Sequence, residues 1–301
     1  MSPLDIAVIV PNFQRRDSLL RACRSILNQD HAASEVVVVD DGSTIDLNSV
    51  RRDLESEGVS WISLDENSGP SVARNTGVAA TKSEWISFLD SDDTWMLDKL
   101  ARQADWHRDN PEARISQVRE QWVRDGEPVR KPDHWEPGEG DLFSASVERC
   151  SIGPSCVMIH RSLWDETGGF DSRFRVCEDY ALWLDITRKE SVGKIPGGSL
   201  VMKEGAREDQ LSRVTPAMDR FRVVALLELL ESTPLSEEQR AKVLNGLKDK
   251  CRILAGGAEK RGQRERADRY RWMAECAIRG GSLAEAIAVG WSEAESSSAV
   301  V

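Results

Sequence analysis

No apolar run in this 301-residue chain approaches the length needed to cross a bilayer. No glycine-rich phosphate loop follows its first strand-like segment either, where Pro11-Asn12-Phe13-Gln14-Arg15 stands instead. The first absence argues against an integral membrane protein. The second argues against a dinucleotide oxidoreductase, which needs Gly-x-Gly-x-x-Gly there, and weakens the case for a nucleotidylyltransferase, whose loop is glycine-rich and basic. Histidine is scarce: His31, His107, His134 and His160 are the only four. The six cysteines (Cys23, Cys150, Cys156, Cys177, Cys251, Cys276) include no Cys-x-x-Cys and no ligand-like spacing to a histidine, so a zinc site is not expected and reduced, mostly buried thiols are. Positive charge is outweighed, with a formal net charge of -11, which disfavours nucleic acid as a partner. Met1 to Asp5 runs straight into a strand-like segment, so no secretory leader is expected. The expected location is cytoplasmic, with peripheral contact at the inner face of a membrane left open.

What is present is ordinary in bulk, with 30% charged and 40% hydrophobic residues. It is distinctive in order. Ile6–Val10, Glu35–Val39, Val59–Leu64 and Trp85–Leu89 read as buried strands. Helical patterns lie between them: one carrying Leu19, Cys23 and Ile26, capped by Asp17 or Ser18, and one over Leu47–Glu57 closed by Gly58. This alternation predicts right-handed crossovers and a mostly parallel sheet flanked by helices. Farther on, Ile115–Val123 reads as one strand, Arg124–Glu127 as a hairpin turn and Lys131–Asp141 as an irregular loop around Trp135. A strand over Ser155–His160, a helix from Glu178-Asp179 to Lys189 and a last strand at Ser199–Met202 follow. From Pro216 the pattern is helical, with separate helices expected over Ser236–Lys250 and Cys251–Gly262. Ser236 with Gln239 forms a capping-box pattern. The expected division is a catalytic domain over 1–214, a helical region over 215–293 and a disordered tail over 294–301.

Two acidic clusters end two of the strands. Asp40-Asp41 follows four valines, and Asp90-Ser91-Asp92-Asp93 follows Ile86–Leu89. In an open α/β sheet a ligand binds beyond the carboxyl ends of the strands. Three neighbouring carboxylates repel one another, and a divalent cation with its anion is the simplest partner. Gly69–Gly77 offers a helix N-terminus and one guanidinium, Arg74, both suited to phosphate. Glu178-Asp179 opens a helix, where acids suit the dipole and where a carboxylate could also take a proton from a hydroxyl.

The motifs Pro11–Arg15, Val39–Ser43, Ser71–Asn75, Leu89–Asp93 and Glu178–Trp183, in this order, resemble the family 2 inverting glycosyltransferases of the GT-A fold. The resemblance covers about residues 4–213. It implies a nucleotide-diphosphate sugar donor, most often uridine-based. Pro11 and Phe13 would line the base pocket, and Asp40, helped by Asp41, would read the base. Arg74 would lie near the ribose or diphosphate and Asp90 by the ribose. Asp92, with Asp93, would hold Mg²⁺ or Mn²⁺. Asp179 matches the general base, with Glu178 beside it and Trp183 shaping the acceptor side. Relatives often have a basic residue where Asp185 stands here, and a Gly-Gly-His where Ala206-Arg207 stands. Arg207 would offer charge to a diphosphate but no coordination. The acceptor would be a glycan, a lipid-linked saccharide or a protein, and neither it nor the oligomeric state is readable. The rivals are a nucleotide-sugar-binding protein on the same fold that has lost turnover, and the nucleotidylyltransferase.

Overall fold

The apolar runs become central strands because nothing in them tolerates water. Ile6 to Val10 are fully buried, and Val36 to Val39 nearly so. The computed structural model describes residues 3–124, 127–129, 136–204, 215–232 and 234–295. Trp135, Arg207 and residues 296–301 of the expected tail therefore lie outside the described residues. Strands β1 (Ile6–Asn12), β2 (Glu35–Asp40), β3 (Ser60–Ser63) and β4 (Trp85–Phe88) alternate with helices α1 (Asp17–Leu27), α2 (Asn48–Ser56) and α3 (Pro70–Ala79). β1 pairs in parallel with both β2 and β4, and β2 with β3. Their carboxyl ends therefore share one edge. Helix α3 packs straight onto β1 and β2. A Cβ on Gly77 would lie 2.5 Å from Ile9 and 3.2 Å from Val39, so only glycine fits there.

The chain continues through β5 (Thr94–Trp95), α4 (Lys99–Asp109), β6 (Ile115–Gln117), β7 (Glu120–Arg124), β8 (Glu127–Val129), α5 (Phe143–Glu148), β9 (Val157–His160), α6 (Arg161–Thr167), α7 (Glu178–Thr187), β10 (Gly193–Lys194) and β11 (Val201–Glu204). The main sheet has seven strands in the order β10-β6-β9-β4-β1-β2-β3, and β9 runs antiparallel to its two neighbours. A smaller sheet is ordered β5-β11-β7-β8. The single strand expected over Ile115–Val123 is two strands in two sheets. The pairing of β6 with β9 ends at Gln117, and β7 then runs beside β11. Helix α1 starts at Asp17 itself, with Arg16 at the N-cap position and no side-chain cap, so neither Asp17 nor Ser18 caps it.

Four further helices follow: α8 (Asp219–Ser232), α9 (Glu237–Lys260), α10 (Arg264–Arg279) and α11 (Leu283–Glu295). The Ser236–Gln239 capping box is present. The two helices expected between Ser236 and Gly262 are one. Val243, Leu247, Cys251, Leu254, Ala255 and Ala258 form one buried stripe along it, and that burial outweighs the roughly 1 kcal/mol that each of Gly256 and Gly257 costs a helix. α8 is buried on nearly every side. Its Phe221, Val224 and Leu227 share one apolar cluster with Tyr180 and Leu184 of α7. The helical region thus buttresses the helix that begins at Glu178-Asp179. No helix among the described residues is long and apolar enough to cross a membrane.

Candidate active site

The carboxyl edge of β1, β2 and β4 gathers most of the residues singled out in the sequence. At the end of β2, Asp40 accepts hydrogen bonds from Ser43 Oγ (2.6 Å) and Asn12 Nδ2 (3.3 Å), both on Oδ1. Gln14, in a left-handed conformation at φ +54, donates its backbone N–H to Ser43 Oγ (2.8 Å), which ties the loop after β1 to the loop after β2. Pro11 is half-buried at the end of β1, and Phe13 leaves its ring exposed. Asp41 is used differently. Its two oxygens accept the backbone N–H groups of Ser68 (2.7 Å) and Gly69 (2.8 Å), so it fixes the turn that leads into α3. Burial nonetheless raises its pKa above the usual carboxylate value.

The polar face of α3 anchors the segment ahead of α7. Ser71 Oγ donates to the Phe174 carbonyl (2.8 Å), and Asn75 exchanges hydrogen bonds with both backbone groups of Phe170. Arg74, between them, is buried and lies over the Phe170 ring. One guanidinium nitrogen reaches Asp90 Oδ1 and the other Glu178 Oε1, each at 2.7 Å. The expectation that Arg74 lies at the diphosphate is therefore modified: its hydrogen bonds go to two carboxylates, and it joins the end of β4 to the start of α7. Burial pushes Glu178 up to about 7 against the attraction of Arg74. Asp90 goes the other way. Burial would raise it, but Arg74, Lys203 and Arg15 together hold it below the usual range.

The rest of the acidic cluster is also paired. Arg15 meets Asp92 Oδ1 at 2.9 Å, and burial raises the Asp92 pKa. Lys203 Nζ, from β11, stands 3.3 Å from Asp93 Oδ2 and 3.9 Å from Asp90 Oδ2. Ser155 Oγ donates to Asp93 Oδ2 (2.7 Å) and accepts the Asp90 N–H (3.1 Å). Asp93 is 1% exposed, and burial pushes it up to about 7.

A Mg²⁺ or Mn²⁺ ion asks for oxygen ligands, of which one or two carboxylates suffice when substrate phosphate and water supply the others. Asp90 and Asp92, half-buried at the sheet edge, fit that demand. Asp93 does not, because it is turned inward to Ser155 and Lys203, and its expected place among the ligands is corrected. No group of three or more His, Cys, Asp or Glu residues that could hold a metal occurs among the described residues.

Asp179 lies in the first turn of α7, half-buried. Its Oδ1 accepts the Tyr180 N–H (2.7 Å), and its Oδ2 accepts the Cys150 thiol (3.0 Å). Burial raises Cys150 well above an ordinary thiol, so it stays a protonated donor. Cys177, immediately before α7, adopts a left-handed conformation at φ +61, a strained state for a non-glycine residue that helps set the angle of this turn. Trp183 was expected on the acceptor side. It is fully buried instead, edge-on to Phe170, because its position on α7 faces the sheet.

Four participants had no assigned role in the sequence: Arg15, Cys150, Ser155 and Lys203. Arg15 lay inside a motif. Lys203 lies three residues before Ala206-Arg207, in a segment singled out in the sequence, and Cys150 and Ser155 are isolated polar residues brought in from distant elements.

A family model described as glycosyl transferase family 2 matches residues 7–167, more than half of the chain. Among named relatives, a Bacillus subtilis protein named as a teichuronic acid biosynthesis glycosyltransferase, TuaG, is 31% identical over 61% of this chain and 72% of its own length. An uncharacterized glycosyltransferase of Rickettsia felis is 30% identical over 63% of this chain, which spans only 31% of that longer protein. Among solved structures, S. aureus TarS 1-349 in complex with UDP-GlcNAc superposes with a TM-score of 0.62 at 17% identity, covering 97% of this chain and 91% of that one. The mannosyltransferase PcManGT from Pyrobaculum calidifontis, with GDP-Man and Mn²⁺, gives 0.60 at 18% identity, covering 96% and 80%. These two share the fold. The chain belongs to glycosyl transferase family 2 and is a glycosyltransferase of the GT-A fold.

Proposed function

We propose that this chain moves a sugar from a nucleotide-diphosphate donor, a UDP-sugar in the first instance, to an acceptor hydroxyl with inversion at the anomeric carbon. The observation that carries the reading is the Asp90–Arg74–Glu178 bridge. It holds the carboxylates at the end of β4 and the turn bearing Asp179 in one rigid frame. The UDP-GlcNAc bound to TarS supports the donor class, and the GDP-Man of PcManGT keeps a guanine nucleotide in the test. The names of relatives such as TuaG favour a cell-envelope saccharide as acceptor. Residues 1–214 form the proposed catalytic domain and 215–293 its helical support.

In this reading Pro11 and Phe13 pack against the base, and Asp40 accepts a hydrogen bond from its edge. Asp41 keeps the 68–69 turn in place. Asp92 and Asp90 would hold Mg²⁺ or Mn²⁺, which when bound supplies positive charge for the leaving diphosphate. Asp179 takes the proton of the acceptor hydroxyl as its oxygen attacks from the face opposite the diphosphate. Glu178, locked on Arg74, fixes the helix turn that aims Asp179. One displacement inverts the centre, and no enzyme nucleophile is needed.

The test is a thermal-shift screen of UDP- and GDP-sugars with and without Mn²⁺, followed by turnover of Asp179→Asn with the sugar that shifts. The variant should keep the donor-induced shift and lose about 100- to 10,000-fold in rate, the usual contribution of a general base. Full turnover by that variant would remove Asp179 as base. The absence of a shift with every nucleotide sugar would remove the donor assignment.

A further inference from the structure

Three cations of the chain face the carboxylates at the end of β4, and they are held in unequal ways. Arg74 uses two guanidinium nitrogens at 2.7 Å and is buried. Arg15 pairs with Asp92 at 2.9 Å. Lys203 comes from the second sheet, 110 residues along the chain from Asp93. Its ammonium lies between two carboxylates at 3.3 and 3.9 Å, both longer than the roughly 2.7–2.9 Å of a close charge-assisted hydrogen bond. Its side chain is 27% exposed, against 5% for Arg74. An ammonium on a four-carbon stem is a compact charge whose donors re-aim by bond rotation, whereas a bidentate guanidinium is fixed by its plane.

A diphosphate entering beside Asp90 and Asp92 meets like charge. Of the three cations, Lys203 is the one that can turn toward it without breaking a close pair. Asp93 keeps the hydrogen bond that Ser155 donates to the same oxygen.

We propose that Lys203 is a diphosphate-binding residue. Its ammonium passes from Asp93 and Asp90 to a phosphate oxygen of the donor, so that a nucleoside diphosphate binds this chain even without a divalent ion. The proposal rests on the nucleotide-sugar reading above and deepens it: part of the charge on the diphosphate is carried by a residue of the second sheet. No bond is made or broken in the move.

The experiment is calorimetric titration of the full chain with UDP, in EDTA and in Mn²⁺, for wild type, Lys203→Met and Lys203→Arg. Wild type should bind in EDTA. Lys203→Met should bind at least tenfold more weakly in EDTA and recover most of the difference in Mn²⁺, with Lys203→Arg close to wild type. Equal affinity of wild type and Lys203→Met in EDTA overturns the proposal, and so does wild-type binding that needs Mn²⁺. In both cases the donor reading stands. No binding of UDP or GDP under either condition overturns both. If Lys203→Met does not fold, the wild-type chain answers alone. UDP in EDTA should protect Lys203 from reductive methylation, read by peptide mass, and unchanged modification at Lys203 overturns the proposal.

Discussion

The acidic groups at the ends of β2 and β4 look alike in the sequence and are satisfied by opposite means. Asp40 and Asp41 meet hydroxyl, amide and backbone N–H donors, all neutral. Asp90, Asp92 and Asp93 meet Arg74, Arg15 and Lys203. A buried carboxylate held by backbone amides is part of the scaffold, because releasing it leaves unpaired N–H groups behind. A carboxylate held by side-chain cations can exchange those cations for a metal or a substrate, provided each cation has somewhere else to go. Asp41 therefore shapes the edge of the site, and the second group is where charge can move.

Removing Arg74 should give the largest effect. Arg74→Ala strands Asp90 and Glu178, two carboxylates in a low-dielectric setting, and breaking a buried pair by removing one partner costs about 3–5 kcal/mol. Urea denaturation should show that loss with little change in slope. Arg74→Lys should not restore it, since an ammonium lacks the planar fork that bridges two carboxylates. A loss below about 1 kcal/mol would mean that this cluster is as loosely held as a surface pair, and the contrast with Asp40-Asp41 would vanish.

The order of strands and helices was legible because buried strands read as apolar runs and α3 announces itself by Gly69-Pro70. Asp40, Asp90, Asp92 and Asp179 were legible as candidates because acids at strand ends and helix starts gather at one edge of such a sheet. Three things were not. Arg74 was singled out and Arg15 lay inside a motif, but that they and Lys203 of β11 pair with the second group was not legible, because nothing local to the acids points to them. Asp93 and Trp183 belong to motifs, but burial decides their part, and burial is a property of the packed chain. The division of Ile115–Val123 between two sheets and the fusion of α9 across Gly256-Gly257 follow from tertiary pairing and a continuous apolar face. Local pattern carries neither.

Asp41 tests the scaffold side of the comparison. Asp41→Ala leaves the N–H groups of Ser68 and Gly69 without their acceptor, which should cost about 1–3 kcal/mol in urea denaturation. Asp41→Asn keeps one acceptor oxygen, and burial already disfavours the charge at this position, so its cost should fall toward the lower end. An Asn variant as damaging as the Ala variant would show that charge, not hydrogen bonding, fixes the turn.

Asp92 tests the exchangeable side and should cost the least stability. Its pair with Arg15 is close, at 2.9 Å, and mostly shielded, but burial already raises its pKa, so Asp92→Asn trades the ion pair for relief from desolvation. The expected change in unfolding free energy is within about 1 kcal/mol of zero, with either sign. Its effect should fall on the ligand instead. The extra thermal stabilisation that Mn²⁺ gives to the donor complex should disappear, while the part of donor binding that survives in EDTA persists, because Lys203 is untouched. A variant that keeps the full Mn²⁺ effect would move the metal away from Asp92. A variant that unfolds by several kcal/mol would place Asp92 with Asp41, as scaffold, and erase the distinction between the two acidic groups.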